Sequence, residues 1–513
     1  MPDTSIPLAQ HYHDRTKYDP ETLSAKARTL DFAHQPVPFK TYQVGVEVDL
    51  KPYLDSSTTG EQADADEWMR LSRLLINAYG LTAKFPTPTG QTFYLRSAPS
   101  AGGLYPAELY LVSRGTRLLP AGLYNYQART HSLWRYWDDH NWPALQQACF
   151  WHPALEATQM ALVVTGVFFR SAWRYQDRAY RRICLDVGHL LGNIELASVL
   201  TDYRPHLIAS FADELMAQLL YLDPDQEGAM AVLPLADLLA VEQNLPHFKS
   251  VFATPCQTDF RAVPDGELLT YFHQSTAIEV TQNIPKWALR PRTEPEPTNP
   301  LEDKYNFPFC LRVPTPTAPI AWGEHLQPLE TTILKRRSTR KYSGGAISLE
   351  ALKQLLDFTY QPHHYHDQGF DGDPDYCEVD LLQTFVVVSD VDGLEAGCYY
   401  YAPHCQELRQ VRFKQFRREL HYLCLGQELG RDAAAVLFHT ADLQAASQAY
   451  GDRVYRYLHM DAGHLAQRLN LAAIYLGLGV SGIGGFFDDQ VNDVLGIPAD
   501  EAVIYITTLG QPG

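Results

Sequence analysis

The sequence of 513 residues lacks the features that mark several protein classes. Its eight cysteines are scattered and form no Cys-x-x-Cys pair, which excludes the usual zinc and disulfide frameworks and favours a reducing cytoplasm. Basic residues (42) are outnumbered by acidic ones (60), which argues against nucleic acid and anionic membranes as partners. No apolar run is long enough to span a bilayer, and the first residues predict no signal peptide.

What the sequence does contain is one domain twice. Residues 121–126 return as residues 396–401, and the spacing of 275 residues holds without a gap from residue 121 to residue 220. A second block has identical residues in both copies: Tyr175, Asp177, Arg178, Tyr180, Arg181, Asp186, Gly188 and His189, then Tyr450, Asp452, Arg453, Tyr455, Arg456, Asp461, Gly463 and His464. A constant spacing over this length indicates duplication of a whole folding unit.

Each copy mixes helical and β-rich segments. Residues 64–79 and Leu349–Tyr360 have the periodicity of amphipathic helices, the second with Ser348 as N-cap. Residues 179–200 and Val454–Tyr475 predict helices buried on several sides. We therefore predict an α+β class with layered α/β halves, each a mixed sheet flanked by helices, fused as an intramolecular pseudo-dimer. The predicted domains are residues 1–282 and 329–513, joined by a connector, residues 283–328, with ten prolines between positions 285 and 328.

Residues 335–341, the cradle segment, have the residues for a phosphate. Arg336, Ser338 and Arg340 occupy alternate positions, and Arg337 stands between the first two. In an extended backbone the side chains of the three therefore point to the same side. Guanidinium groups and a hydroxyl suit a phosphate monoester. The alternative is a basic helix end that its own dipole favours.

Two further segments favour close approach to a flat ligand. The Pro-Ser loop, residues 96–106, consists mostly of small residues, with Pro99, Ser100, Ala101 and Gly102 at its centre. The glycine strip, residues 479–486, contains Ile483, Gly484 and Gly485, whose backbone N–H groups can reach a ligand edge. The alternatives are an ordinary turn and a helix end followed by a strand.

Taken with residues 11–18 and 30–36, these segments resemble the nitroreductase-like flavoprotein family, specifically its SagB-type dehydrogenase branch. Arg-Arg-Ser-x-Arg is the most specific element for the family, and Pro-Ser-Ala-Gly-Gly-Leu-Tyr-Pro for the branch. The resemblance implies an FMN-dependent oxidoreductase, with FMN at a dimer boundary and a small molecule or modified peptide as substrate. NAD(P)H or oxygen would complete the cycle, and the internal pairing favours a monomer.

The resemblance also implies residue roles. Arg336, Arg337, Ser338 and Arg340 would hold the phosphate and ribityl end of FMN. The N–H groups at Ile483, Gly484 and Gly485 would reach the flavin N5/O4 edge, and Pro99, Ser100, Ala101 and Gly102 would close over the ring. Tyr175 and Tyr450 are the candidate catalytic proton donors or acceptors.

The two copies have lost different parts of this site. Aligning Leu352 with Leu71 places Asp55, Ser57 and Thr59 opposite the cradle residues Arg336, Ser338 and Arg340. Ala209 and Ser210 stand opposite Gly484 and Gly485, and residues 363–380 replace the Pro-Ser loop in the second copy. We therefore expect one composite site, with cradle and glycine strip from the C-terminal half and Pro-Ser loop from the N-terminal half. The mirror site should be inactive.

Two other functions stay open at this point. One is a non-catalytic flavin- or ligand-binding protein that kept the fold, and the other is a peptide azoline dehydrogenase. Azoline-oxidising members carry a Lys-Tyr pair where this chain has Arg174-Tyr175 and Ala449-Tyr450, which speaks against the second. His189 and His464 are interpreted as core histidines, and we predict no metal site, with the cluster His363, His364 and His366 on the surface.

Overall fold

The structure, a computed structural model, describes residues 6–23, 29–54, 62–86, 92–280, 303–307 and 309–513. Asp55, Ser57 and Thr59 lie outside the described residues, as does much of the predicted connector. The predicted boundary at residue 282 lies outside the described residues, whereas residue 328 lies within the helix Gln327–Lys335. Both domain boundaries stay predictions.

Two seven-stranded antiparallel sheets with equivalent strand orders form the two halves. Across the first sheet run β1 (Val46–Asp49), β6 (Ser132–Trp137), β5 (Gly122–Gln127), β4 (Ala107–Ser113), β7 (Met160–Val167), β9 (Glu227–Asp237) and β8 (Tyr203–Pro205). Across the second run β10 (Arg312–Pro314), β15 (Glu407–Phe413), β14 (Gly397–Ala402), β12 (Gln383–Val388), β16 (Ala435–Asp442), β18 (Glu501–Gly510) and β17 (Gly479–Ile483). Two small sheets pair β2 (Leu81–Pro86) with β3 (Thr92–Arg96), and β11 (Ile347–Ser348) with β13 (Val391–Asp392).

Helices cover the sheets, and one apolar core contains side chains from both halves. The α-helices of the N-terminal half are Leu8–Arg15, Gln62–Tyr79, Trp142–Ala148, Ala154–Ala157, Phe168–Tyr175, Ala179–Val199, Asp213–Leu220 and Leu268–Ser275. Those of the C-terminal half are Gln327–Lys335, Leu349–Tyr360, Arg417–Leu423, Glu428–Asp432, Leu443–Tyr450, Val454–Tyr475 and Asp488–Leu495. The predicted N-cap is confirmed, since Ser348 Oγ accepts the Ala351 N–H at 3.1 Å. The predicted α+β class with two layered halves is confirmed as well.

The halves meet where the helices Ala179–Val199 and Val454–Tyr475 cross. A Cβ atom at Gly188 would overlap the carbonyl of Met460, and one at Gly463 would overlap the carbonyl of Leu185, so the two backbones touch. His189 follows the crossing, and its two ring nitrogens lie 3.0 Å from Gln467 Oε1 and 3.0 Å from Tyr505 Oη. Burial lowers the pKa of His189 to about 3. The interpretation of His189 as a hydrogen-bonded core residue is confirmed.

Two short arm helices lie in equivalent places near the amino ends of the long helices. The first arm, Leu8–Arg15, is followed by Thr16, whose carbonyl accepts from Arg178 at 2.6 Å. The second arm, Leu268–Ser275, is followed by Thr276, whose carbonyl accepts from Arg453 at 3.1 Å. The repeated arginines of the long helices therefore hold the arms in place.

The repeated aspartates bind the opposite ends of the same arms. Asp452 accepts the N–H of Ala9 at 2.8 Å, and Asp177 accepts the N–H of Leu269 at 3.1 Å. Asp452 belongs to the C-terminal half, so the first arm is held by both halves. The sequence reasoning missed the second arm because it lies 260 residues after the first, and not 275.

Candidate functional site

Arg336 is the point where the cradle segment reaches the N-terminal half. Its side chain is buried, and Nε donates to the Ser97 carbonyl at 2.5 Å while Nη2 donates to the Arg96 carbonyl at 3.1 Å. Burial lowers the pKa of Arg336 to about 10, which still leaves it charged at neutral pH. Since Arg96 and Ser97 begin the Pro-Ser loop, the cradle segment and this loop are in direct contact.

The other three cradle residues predicted to hold a phosphate, Arg337, Ser338 and Arg340, differ in their contacts. Arg337 donates to Thr82 Oγ1 at 3.1 Å and to the Thr82 carbonyl at 3.2 Å, so its guanidinium is committed to the N-terminal half. Ser338 is half-buried, 3.5 Å from Arg336 Nη1. Arg340 is exposed and makes no hydrogen bond or ion pair with a residue that the structure describes. Ser338 and Arg340 are therefore the cradle residues available to a ligand.

The Pro-Ser loop is held by a buried carboxyl group on the helix Ala179–Val199. Ser100 Oγ lies 2.5 Å from Asp186 Oδ2, and the Ala101 N–H donates to Asp186 Oδ1 at 3.1 Å. Pro99, Ser100 and Ala101 are half-buried, whereas Gly102 is exposed. The centre of the loop is thus held by Asp186 and leaves Gly102 exposed.

The glycine strip lies next to the cradle segment, since the Thr339 N–H donates to the Val480 carbonyl at 2.8 Å. Strand β17 ends at the buried residue Ile483, and Gly484 and Gly485 follow outside the strand. Within the described ranges, the N–H groups of Gly484 and Gly485 have no acceptor, and both residues are partly exposed. Two adjacent free backbone N–H groups can donate to neighbouring acceptor atoms along one edge of a ligand.

Arg182 and Tyr175 connect the strip with the loop. Arg182 Nη2 donates to the Gly484 carbonyl at 2.9 Å, and its Cζ lies 3.9 Å from the centre of the Tyr175 ring. The Tyr175 hydroxyl is 2.8 Å from the position that a Cβ would take at Gly102. The structure therefore brings Tyr175, the loop and the strip together. Arg182 was missed by sequence reasoning, although the repeat shows a difference there, since its counterpart is Tyr457.

A comparison with known families matches this chain twice. The model described as "Nitroreductase family" covers residues 69–236 and 333–511, which together are more than half of the chain. The chain belongs to the nitroreductase family. One match falls in each half, so the predicted tandem arrangement of two nitroreductase folds is confirmed.

Individual relatives agree with the family assignment. The crystal structure of a "putative nitroreductase" from Anabaena variabilis is 63% identical, covers 99% of this chain and 100% of that chain, and superposes with a TM-score of 0.93. "Putative nitroreductase MJ1384" of Methanocaldococcus jannaschii is 34% identical over 169 residues, which are 33% of this chain and 84% of that protein. "Trifolitoxin-processing protein TfxB" of Rhizobium leguminosarum bv. trifolii is 32% identical over 149 residues, 27% of this chain and 39% of that protein.

The mirror position of this nitroreductase-family chain is arranged differently. The N–H groups of Ala209 and Ser210, the counterparts of the two glycines, both point to the carbonyl of Ser250, at 2.8 Å and 3.3 Å. Tyr457, the counterpart of Arg182, places its hydroxyl 3.0 Å from Ser210 Oγ. The backbone donors of the mirror strip are therefore satisfied within the chain.

Tyr450 does not belong to the same site as Tyr175. It lines a cavity of about 1040 Å³ with Tyr376 and Glu378, and its carbonyl accepts the Thr254 N–H at 3.0 Å. Burial and the neighbouring Glu378 raise the pKa of Tyr450. The two candidate tyrosines therefore lie in different places, Tyr450 in this cavity and Tyr175 beside Gly102, and the catalytic role of each stays a prediction.

The predicted surface histidines His364 and His366 differ in their surroundings. His364 Nδ1 lies 2.7 Å from Asp357 Oδ1, whereas His366 is exposed. In the part of the chain that the structure describes, no three His, Cys, Asp or Glu residues are placed to hold a metal ion. All eight cysteines have free thiols. None of the described helices has both the length and the apolar character to cross a bilayer.

Asp186 and its counterpart Asp461 predict a pH effect on stability. Asp461 accepts the N–H groups of Cys377 and Glu378 at 2.8 Å and 2.7 Å, and burial raises the pKa of each aspartate to about 7. Since an unfolded aspartate titrates near about 4, the folded chain binds more protons between these values and loses stability as pH rises through them.

We therefore expect Asp461→Asn to reduce the fall in stability between pH 5 and pH 8, by on the order of 1 kcal/mol. Urea unfolding at several pH values would measure this. Asp367→Asn changes a fully exposed carboxyl and is the matched control. Equal pH slopes for the wild type and Asp461→Asn would contradict the prediction.

Proposed function

We propose that this chain is an FMN-dependent oxidoreductase of the SagB-type branch, with one composite flavin site between its halves. The observation that supports the proposal is the pair of N–H groups at Gly484 and Gly485 that have no acceptor within the described ranges, next to the cradle segment. We take the space between the cradle segment, the glycine strip and the Pro-Ser loop as the proposed flavin cleft. FMN has a dianionic phosphate and an acceptor edge at N5 and O4. Its groups thus fit the donors that this cleft leaves unused.

Each part of the cleft has a separate role in this proposal. Ser338 and Arg340 bind the phosphate as charge-assisted donors, while Arg336 joins the cradle to the Pro-Ser loop through its carbonyl contacts. Gly484 and Gly485 donate to the flavin edge, and the loop residues 99–102 cover the ring. When bound, FMN supplies the redox chemistry, and the chain positions it and excludes water.

Tyr175 is the proposed proton donor or acceptor of this site. Its hydroxyl faces Gly102, and its ring stacks on the Arg182 guanidinium, which fixes its orientation. We propose NAD(P)H as electron donor and a small molecule or modified peptide as substrate. The similarity to a trifolitoxin-processing protein supports a modified peptide as one substrate class. Arg174, where azoline-oxidising members have lysine, argues against azoline oxidation.

The test of this function is the number of flavins per chain. Because the mirror donors are occupied by Ser250, we expect native mass spectrometry of protein reconstituted with excess FMN to show one FMN per monomeric chain. Anaerobic NADPH should then bleach the flavin absorbance. Two flavins per chain would contradict the one-site arrangement. Protein that takes up no FMN would contradict the proposed function, and bound FMN that neither NADPH nor NADH reduces would favour a non-catalytic flavin-binding protein.

A further inference from the structure

Arg182 is a buried cation with no anionic partner. Its side chain is only 7% exposed, and it forms no ion pair with any residue in the described ranges. Its neighbours on the helix, Arg178 and Arg181, both pair with Asp488, at 2.9 Å and 2.6 Å. Buried charges in proteins are normally paired, so the single unpaired arginine of this group needs an explanation.

The obvious partner on its own helix is turned away. Asp186 is one helical turn after Arg182, a spacing that commonly gives an ion pair. Both carboxylate oxygens of Asp186 instead face the Pro-Ser loop, where Ser100 and Ala101 donate to them. Arg182 Nε is buried without any hydrogen-bond partner. The guanidinium also has a side-chain hydrogen bond with Tyr18, and it attracts Asp186 without forming an ion pair with it. It therefore has no carboxylate ion-pair partner in the described ranges, and its Nε has no acceptor there.

The position of Arg182 places this charge in the proposed flavin cleft. Nη2 donates to the Gly484 carbonyl at 2.9 Å, and a Cβ at Gly484 would overlap Nη1, so only glycine allows this approach. The plane of the guanidinium is fixed by the Tyr175 ring at 3.9 Å. In the mirror position the counterpart Tyr457 is neutral, so the chain puts a cation only beside the strip whose N–H groups are free.

We propose that Arg182 binds an anionic group of the substrate, a carboxylate or a similar oxyanion, next to the glycine strip. A stacked guanidinium presents a flat donor edge that matches a planar carboxylate. The substrates of the proposed enzyme are therefore organic acids. The Tyr175 side chain would lie beside their bound anionic group. This inference rests on the proposed function, because the glycine strip is the place where the flavin edge is proposed to lie.

The experiment uses the full-length chain loaded with FMN, with benzoate and benzamide as probes. FMN content is measured first, and each probe is then titrated while the flavin absorbance is followed. We expect benzoate to bind the wild type at least about tenfold more tightly than benzamide, because only benzoate carries the charge. Equal affinities for the two probes would overturn the proposal without affecting the proposed flavin site.

Variants of Arg182 assign the effect to this residue. Arg182→Gln should weaken benzoate binding at least about tenfold and leave FMN affinity within about threefold, whereas Arg182→Lys should give an intermediate loss of benzoate. Arg129→Gln removes an exposed arginine and is the matched control.

Two outcomes with these variants would overturn the inference. One is benzoate binding by Arg182→Gln as tight as in the wild type. The other is a large loss of FMN itself, or a shifted flavin midpoint potential with unchanged benzoate binding, because Arg182 would then serve the cofactor and not the substrate. If the wild type takes up no FMN, the proposed function fails, and this inference fails with it.

Discussion

Replacing Ser338 and Arg340 together by alanine should weaken FMN binding by more than about a hundredfold. Each hydrogen bond to the charged phosphate contributes about 1.5–3 kcal/mol, and each 1.4 kcal/mol is about tenfold in affinity. Arg340 is exposed and has no contact to lose within the described structure, so the folded chain should be unaffected. Titration of the quenching of FMN fluorescence would measure the loss, and thermal unfolding would verify the fold.

Arg337→Ala is the matched control for this double variant. This variant also removes one positive charge, from a residue next to Ser338 and three positions before Arg340. The Arg337 guanidinium, however, is hydrogen-bonded to Thr82. We expect its FMN affinity to fall much less, with a loss of thermal stability instead. Similar losses of FMN in Arg337→Ala and in the double variant would show that general positive charge, and not the alternating residues, holds the phosphate.

The two halves and their main helices could be predicted from the sequence because the repeat and the apolar positions are periodic in it. The constant spacing of 275 residues predicted two equivalent halves, and the apolar periodicity gave Val454–Tyr475 with its observed ends. Helix caps and buried strands depend on neighbours a few residues apart, which a sequence shows directly. The three segments of the cleft were also found, since each is a short motif.

What the sequence did not show is which individual groups meet across the two halves and within each. Tyr175 and Tyr450 are equivalent in sequence, and only the fold places one beside Gly102 and the other in a separate cavity. The carbonyl of Ser250, which occupies the mirror donors, comes from a segment without any motif. In the sequence, Arg182 follows Arg178 and Arg181, and only the structure shows that those two pair with Asp488 whereas Arg182 does not. Contacts of this kind depend on three-dimensional placement, on which sequence spacing carries no information.

Gly188→Ala should destabilise the chain by about 3 kcal/mol or more, in spite of a better helix propensity. In an exposed helix the change from glycine to alanine is expected to stabilise by about 1 kcal/mol. At Gly188 the added Cβ would overlap the Met460 carbonyl, and a backbone atom cannot move without shifting the whole helix Val454–Tyr475. The sign of the measured change therefore decides whether the helices touch as described. Thermal and urea unfolding would measure it.

Gly463→Ala tests the same crossing from the other helix, since its Cβ would overlap the Leu185 carbonyl. Gly345→Ala, where the nearest atom is 3.4 Å away, is the control and should stay near the wild type. The losses in Gly188→Ala and Gly463→Ala should not add in the double variant, because either Cβ alone forces the same two helices apart. Asp186, which holds the Pro-Ser loop, lies two residues before Gly188, so both single variants should also lose FMN. Additive losses with full FMN binding would mean that the crossing neither joins the halves nor positions the cleft.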